Sequence, residues 1–249
     1  MVILWQNAFM ALNPTVSESV VDLGFAIIPR VLEASEVDAL NATLEAAGGV
    51  TPARRRGSAY AIRHVLEVVP GLSRLATLPK IRALVEPLLG PDAFPVRSIL
   101  FDKTMGANWK VPWHQDLTIA VRKKVDVSGF GPWSTKAGVL HVQPPASILD
   151  NMLAVRIHLD DCDESNGPVR VIPGSHRRGR LTTDQLLRIS TEPSVCCTVP
   201  AGGVMLMRPL LVHASSACRE PRHRRVIHIE FASCPLPGGL EWFTSRCLA

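Results

Sequence analysis

The sequence lacks the signals that direct a protein into a membrane or out of the cell. It has no run of eighteen apolar residues, and its first fourteen residues, MVILWQNAFMALNP, lack a positively charged start and a small-residue cleavage pattern. The six cysteines form no CxxC pair and are too sparse for a disulfide scaffold, which argues against a structural zinc site. These absences predict a cytoplasmic protein with reduced thiols and no membrane partner.

The sequence also lacks a basic motif interleaved with aromatic residues, the usual mark of a nucleic-acid-binding surface. Lys and Arg number 27 against 22 Asp and Glu, a formal charge of +5, but the cations are spread over many segments. We interpret the run Arg54-Arg55-Arg56 as a solvated surface, although it could also meet an anionic group of a substrate. We predict no nucleic-acid partner and a mildly basic surface suited to small anionic substrates.

What is present is the composition of a globular protein, with 47% hydrophobic and 20% charged residues and no low-complexity run. The length permits one domain over residues 1–249. Within the mainly helical part, residues 1–92, the pattern predicts a short strand over 20–30. It also predicts a helix from Ser35 to Gly48-Gly49 and a second helix over Pro79–Leu89.

After Pro91 the pattern changes to short runs rich in β-branched residues and interrupted by glycine and proline. This change predicts an antiparallel sandwich or barrel over about residues 93–235, with one helix at 182–189. The predicted strands are 94–101, 152–159, 168–172, 194–199, 202–207 and 225–232. Residues 118–150 are rich in Gly, Pro, Ser and charge, and we interpret them as a long loop that forms a lid or, alternatively, a surface excursion without function.

The segment WHQDLT contains an imidazole and a carboxylate two residues apart. Side chains at i and i+2 of a strand share a face, so His114 and Asp116 would project together, and His213 is the candidate for a third ligand. Two histidines and one carboxylate suit non-heme Fe(II). A second H-x-D, His158 to Asp160, has the same spacing, and periodicity alone does not choose between them.

The combination of motifs resembles the phytanoyl-CoA dioxygenase-like (PhyH) family of Fe(II)/2-oxoglutarate oxygenases. The resemblance covers about residues 20–232 and rests on the stretches LGFAIIPRVLEASEVDAL, VPWHQDL, VRIHLDDCDESNGPVRVIPGSH and RPLLVHASSACREPRHRRVIHIEF. It implies a mainly β fold with flanking helices around a double-stranded β-helix core, a cupin-like jelly roll. It also implies Fe(II), 2-oxoglutarate and O2 as cofactor and cosubstrates, with release of succinate and CO2.

Carried over to this chain, the resemblance assigns the metal and catalytic triad to His114, Asp116 and His213, and leaves the H-x-D at 158–160 a structural role. It assigns the far carboxylate of 2-oxoglutarate to Arg224, with Arg225 as the alternative, and to Ser215. An arginine fork suits that carboxylate better than a lysine.

Further residues are candidates with a structural alternative each. Lys103 could contact the cosubstrate or be a solvated strand-end lysine, and Trp113 could border the substrate or belong to the core. His141 and Gln143 in the 118–150 segment could touch the substrate.

The predicted function is hydroxylation of a C–H bond in a small metabolite, because Asp116 occupies the position that related halogenases leave small. The alternative is a jelly-roll metal protein or metal-dependent isomerase that needs neither Arg224 nor Ser215. The sequence predicts neither the identity of the substrate nor the oligomeric state.

Overall fold

The structure is a computed structural model that describes residues 15–47, 54–56, 59–104, 108–220 and 222–244. The predictions for the N-terminal fourteen residues, for the helix end at Gly48-Gly49 and for the side chains of Arg54–Arg56 lie outside the described residues. Every helix within these ranges is too short or too polar to span a bilayer.

The core is a seven-stranded antiparallel sheet in the order β1-β12-β9-β14-β4-β3-β2. Its strands are β1 Phe25–Ile28, β2 Arg54–Arg56, β3 Ala59–Arg63, β4 Phe94–Lys103, β9 Met152–His158, β12 Val204–Met207 and β14 Arg224–Ala232. The N-terminal part thus supplies three strands as well as helices, so its description as mainly helical was incomplete.

Helices cover one face of this sheet. They are α1 Val16–Leu23, α2 Ala34–Ala47, α3 Val65–Val68 and α4 Pro79–Leu89, and they bury Leu44, Ile81 and Val85 in one apolar cluster with the alternate residues Ile227, Ile229 and Phe231 of β14. The predicted helix over 79–89 is confirmed. The strand predicted over 20–30 begins only at Phe25, because the Thr15 and Glu18 capping box starts a helix that ends at Gly24, where φ is +85°.

The other face of the large sheet packs against a four-stranded sheet in the order β11-β10-β13-β5. Its strands are β11 Val195–Cys197, β10 Val169–Val171, β13 His213–Ser215 and β5 Val111–His114. The edge strand β5 tolerates Pro112, which cannot donate to a ladder. Of the four, β5 and β13 were not among the predicted strands.

A third sheet, the cap sheet, occupies the segment that we predicted as a long loop. It contains β6 Ile119–Val121, β7 Trp133–Lys136 and β8 Val139–Val142 in the order β6-β8-β7, and is followed by α5 Ala146–Asp150. The prediction of an irregular loop was therefore wrong, because three- and four-residue strands separated by turns hide the period-2 signal. The helix α6 Thr183–Ile189 lies where a helix was predicted, with Thr182 as its cap.

Candidate active site

Three side chains converge where the four-stranded sheet ends. His213 lies directly opposite His114 in the pairing of β13 with β5, and the two rings have centroids 4.1 Å apart. Asp116 follows two residues after β5 and presents one oxygen to each ring, at 3.9 Å from Nε2 of His114 and 3.7 Å from Nε2 of His213. The predicted triad is therefore brought together, although Asp116 lies just beyond the strand.

Backbone carbonyls fix the orientation of both imidazoles. Nδ1 of His114 lies 2.9 Å from the Pro112 carbonyl oxygen, and Nδ1 of His213 lies 2.8 Å from that of Leu211. A carbonyl can only accept, so each Nδ1 carries a proton, and in the neutral form of each ring Nε2 keeps its lone pair. Both lone pairs are thereby free for a cation beside Asp116, the arrangement found around metal-bound histidines.

The segment that carries Asp116 is fixed by hydrogen bonds on both sides. The Asp116 amide donates to the Pro209 carbonyl at 2.9 Å. The Gln115 side chain points the other way, donating to the carbonyls of Gly179 and Leu210 and accepting from the Leu181 amide. The backbone that carries the Asp116 carboxylate is therefore held by hydrogen bonds to two neighbouring segments of the chain.

The electrostatics favour the ligating protonation states of His213 and Asp116. Burial, only partly opposed by Asp116, lowers the pKa of His213 to about 4, so its ring is neutral at pH 7. Burial acts to raise the pKa of Asp116, but His213 and Arg97 outweigh it and hold that pKa well below its usual range. A neutral imidazole and an ionised carboxylate are the forms that bind a metal.

A second set of possible ligands shares Asp116 and adds His228 and Glu230. Its other members are already engaged, since Nε2 of His228 lies 3.2 Å from Glu230 and Glu230 also forms an ion pair with Arg97. The set of His114, Asp116 and His213 has its nitrogen lone pairs free and is the better metal site.

On the strands beside the triad lies a group of buried cations that have no acidic partner among the described residues. Lys103 is fully buried, and its Nζ donates to Ser215 Oγ at 3.2 Å and to the Ser216 carbonyl at 2.6 Å. Arg224 is directly opposite Lys103 in the pairing of β14 with β4 and donates to the Gly167 carbonyl. The three predicted cosubstrate residues, Lys103, Ser215 and Arg224, therefore lie together, and Lys103 is not a solvated strand-end lysine.

A third interior cation was not predicted from the sequence. Arg156 of β9 is buried, contacts Nδ1 of His228 at 3.1 Å and has an unpartnered Nε. The charges of both Arg224 and Asp116 act on its guanidinium. Burial lowers its pKa to about 10 and that of Lys103 to about 8.

Two residues near the triad that were not predicted, His228 and Glu230, had a signal in the sequence. Arg224, His228 and Glu230 of β14 alternate with Ile227, Ile229 and Phe231, and the latter three contact the helices. The polar residues of this period-2 pattern must face the jelly-roll interior. Reading the strand by its two faces would have identified His228 and Glu230.

Arg225, the alternative to Arg224, points to the outside of the sheet. Its guanidinium donates two hydrogen bonds to the Asp160 carboxylate, from Nε at 3.0 Å and from a terminal nitrogen at 2.8 Å. Its backbone amide also donates to Asp160. Burial lowers the pKa of His158 well below its usual value, and neither ring nitrogen has a partner in the described part of the chain. The second H-x-D thus takes no part in the triad.

The three predicted substrate residues are separated in the structure. Trp113 packs against a small apolar cluster around Val212, away from the triad. His141 is buried on β8 and Gln143 follows that strand, where it accepts from Arg180 at 3.3 Å. The charge of Arg97 acts on both His141 and Asp116, which relates His141 to the surroundings of the triad.

Comparison with known protein families matches residues 21–226 to the family described as Phytanoyl-CoA dioxygenase (PhyH). Among curated proteins, L-proline trans-4-hydroxylase of Streptomyces griseoviridis is 35% identical over 191 residues. The match covers 64% of this chain and 62% of the hydroxylase, less than two thirds of that relative's length.

Two solved structures are similar over most of the chain. The non-heme, α-ketoglutarate-dependent carbocyclase SnoK from nogalamycin biosynthesis has a TM-score of 0.70 at 20% identity, over 91% of this chain and 86% of its own. EctD from S. alaskensis, crystallised with 2-oxoglutarate and 5-hydroxyectoine, has a TM-score of 0.66 at 18% identity, over 87% and 74%. The predicted fold, a jelly-roll core with flanking helices, is confirmed.

Proposed function

The chain belongs to the phytanoyl-CoA dioxygenase (PhyH) family, and we propose that it is an Fe(II)- and 2-oxoglutarate-dependent oxygenase that hydroxylates a small metabolite. The observation that carries the proposal is the pairing of a His, Asp, His triad with buried cations that have no acidic partner in the described structure. The triad fits a divalent metal, and the cations fit a dianion.

His114, Asp116 and His213 would hold Fe(II). Their donor set of two imidazoles and one carboxylate matches the facial triad of non-heme iron oxygenases. The Nε2 atoms turned to Asp116, the neutral His213 and the ionised Asp116 support this fit, because no proton has to be displaced from His213 or Asp116 at neutral pH.

Lys103, Ser215 and Arg224 would bind the far carboxylate of 2-oxoglutarate. Burying a cation without a counter-ion is costly, so Lys103, Arg156 and Arg224 together need an anionic ligand. 2-Oxoglutarate brings two carboxylates. The charge of Arg156 interacts with the charges of both Arg224 and Asp116. The alternative metal protein without oxygenase activity leaves this buried charge unexplained.

When bound, Fe(II) with 2-oxoglutarate and O2 supplies the oxidising power that hydroxylates a C–H bond and yields succinate and CO2. The chain's own task is to bind and orient. Arg224 and Ser215 fix one end of the cosubstrate, and the interior cations neutralise its charge.

The substrate is a small molecule, with free amino acids as first candidates because the relative of 35% identity is a proline hydroxylase. His141 and Gln143 would border it, and the segment 118–150 would act as its lid.

Four further predictions remain. They are a single domain over residues 1–249, no nucleic-acid partner, no membrane partner and a cytoplasmic location. The location is supported by five cysteines, all free, in the described part of the chain.

The test is anaerobic addition of Fe(II) and 2-oxoglutarate to the purified protein, followed by visible absorbance. We expect a band that needs both additions and is absent from Asp116→Ala. Admitting air should then release succinate, faster when a substrate is present. A wild-type protein that gives neither band nor succinate contradicts the proposal and favours a metal protein without oxygenase activity.

A further inference from the structure

The cap sheet has a polar face and an apolar face. In its register Val142 lies opposite Ile119 and Trp133, and these residues pack in the apolar cluster that contains Trp242. Lys136 lies opposite Val139, and His141 is two residues further along the same strand. Because alternate residues share a face, Lys136 and His141 both lie on the face turned away from that cluster.

The polar face carries Lys136 beside the segment that follows Asp116. Burial lowers the pKa of Lys136, Arg97 and Arg63 lower it further, and Asp116 and Glu230 act to raise it. These charges belong to the large sheet and to the triad, and all four act on the Lys136 ammonium. Its hydrogen bond to Thr118 Oγ1, at 2.8 Å, holds it two residues from Asp116 along the chain.

Within the described residues, no carboxylate compensates the charge of Lys136. Arg97 is paired with Glu230, which also contacts His228. Asp116 is committed to the triad, and within the described residues no carboxylate lies within ion-pair distance of Lys136. A half-buried ammonium with one neutral hydroxyl as partner has the capacity to bind one negative charge.

His141 adds a hydrogen-bond acceptor on the same face. Its Nδ1 donates to the Val139 carbonyl at 3.0 Å, so Nε2 carries a lone pair, and that nitrogen is buried without a partner. Burial lowers the pKa of this ring to about 4, which keeps it an acceptor at neutral pH. Diagonal neighbours on a sheet are about 7–8 Å apart, a span that one small molecule can bridge.

We propose that the substrate is a free α-amino acid whose carboxylate binds Lys136 and whose amino group donates to Nε2 of His141. The inference rests on the proposed function and adds the recognition of the substrate to it. One ammonium matches a monoanionic carboxylate, whereas a phosphate dianion requires more donors than this face offers.

The test uses wild-type protein loaded anaerobically with Fe(II) and 2-oxoglutarate and titrated calorimetrically with the twenty proteinogenic L-amino acids and their C-terminal amides. We expect at least one free acid to bind about ten-fold or more tightly than its amide, the effect of a hydrogen bond to a charged group. Lys136→Met should abolish this preference and Lys136→Arg should retain part of it. His141→Phe should weaken the amino acid but not its desamino analogue.

Lys123→Met is the matched control, because Lys123 adjoins the same sheet but is exposed and faces Glu241 at 3.6 Å. It should keep the wild-type preference. The inference is overturned if no acid binds the wild-type protein more tightly than its amide, or if Lys136→Met keeps the preference. The visible band of the loaded protein separates the two proposals: its absence from the wild type contradicts the function, whereas a band without acid preference contradicts only this inference.

Discussion

The chain contains two His-x-Asp segments with the same local structure and different roles. In both, the histidine is the last residue of a strand and the aspartate follows two residues later. His114 and Asp116 join His213 in the triad. His158 is buried with both ring nitrogens unpartnered, and Asp160 forms a bidentate pair with Arg225 on the outside of the sheet.

The difference comes from the position of each strand in its sheet. β5 is an edge strand, so its last residue has one neighbour, and that neighbour is His213. β9 lies between β12 and β14, where His158 is opposite Val226. A tripeptide becomes a metal site only when the partner strand brings a further ligand and the far side stays open.

The strongest contrast is expected between Asp116→Asn and Asp160→Asn. We expect the first to lower substrate-dependent succinate formation by at least about 100-fold, since even outer partners of metal ligands cost about 10–100-fold. The second removes a partly exposed ion pair and should change the rate by less than about three-fold. Bound iron and initial rates are the measurements, and equal losses in both variants would remove the functional distinction between the two segments.

The next contrast separates Arg224 from Arg225. Arg224→Met should weaken 2-oxoglutarate about 30-fold or more, because losing one partner of a buried charge pair costs about 2–5 kcal/mol. Arg225→Met should leave the affinity within about two-fold, since Arg225 is bound to Asp160 outside the sheet. Titrating the visible band with 2-oxoglutarate gives both affinities. A larger loss in Arg225→Met would reverse the assignment.

Much of this arrangement follows from sequence patterns with a strong local signal. The helix at Pro79–Leu89 has a proline at its start and a glycine after its end, and the long β-branched runs form the central strands. The family resemblance, rather than periodicity, chose His114 over His158. In the structure, His114 belongs to the triad because it pairs with His213. This pairing joins residues 99 positions apart and has no local signature in the sequence.

Other features could not be predicted because they depend on long-range contacts. The cap sheet has strands of three and four residues that are stabilised by packing on Trp242, more than ninety residues away. The orientations of Arg224 and Arg225 depend on the register of β14, and a one-residue slip would exchange them. Local propensity carries no information on such a register.

A smaller effect concerns stability at low pH. The pKa of His141 is about 4 in the folded protein and about 6.5 when unfolded, so between these values the unfolded chain binds the extra proton. Stability should therefore fall as the pH drops below about 6.5 and should level off below about 4. From pH 7 to 5 we expect a loss of about 1–2 kcal/mol from this residue, measured as chemical unfolding of the metal-free protein. His141→Phe should reduce the pH dependence, and an unchanged dependence would exclude His141 as its source.

The smallest expected effect is a gain of stability from His158→Leu. A buried polar ring without hydrogen bonds costs about 1–3 kcal/mol, so an apolar side chain of similar size should raise the free energy of unfolding by about 1 kcal/mol at pH 7. His114→Leu, the matched change in the other segment, should instead abolish iron binding. If His158→Leu weakens 2-oxoglutarate binding about ten-fold or more, then His158 contacts the cosubstrate, and both His-x-Asp segments serve the active site through their histidines.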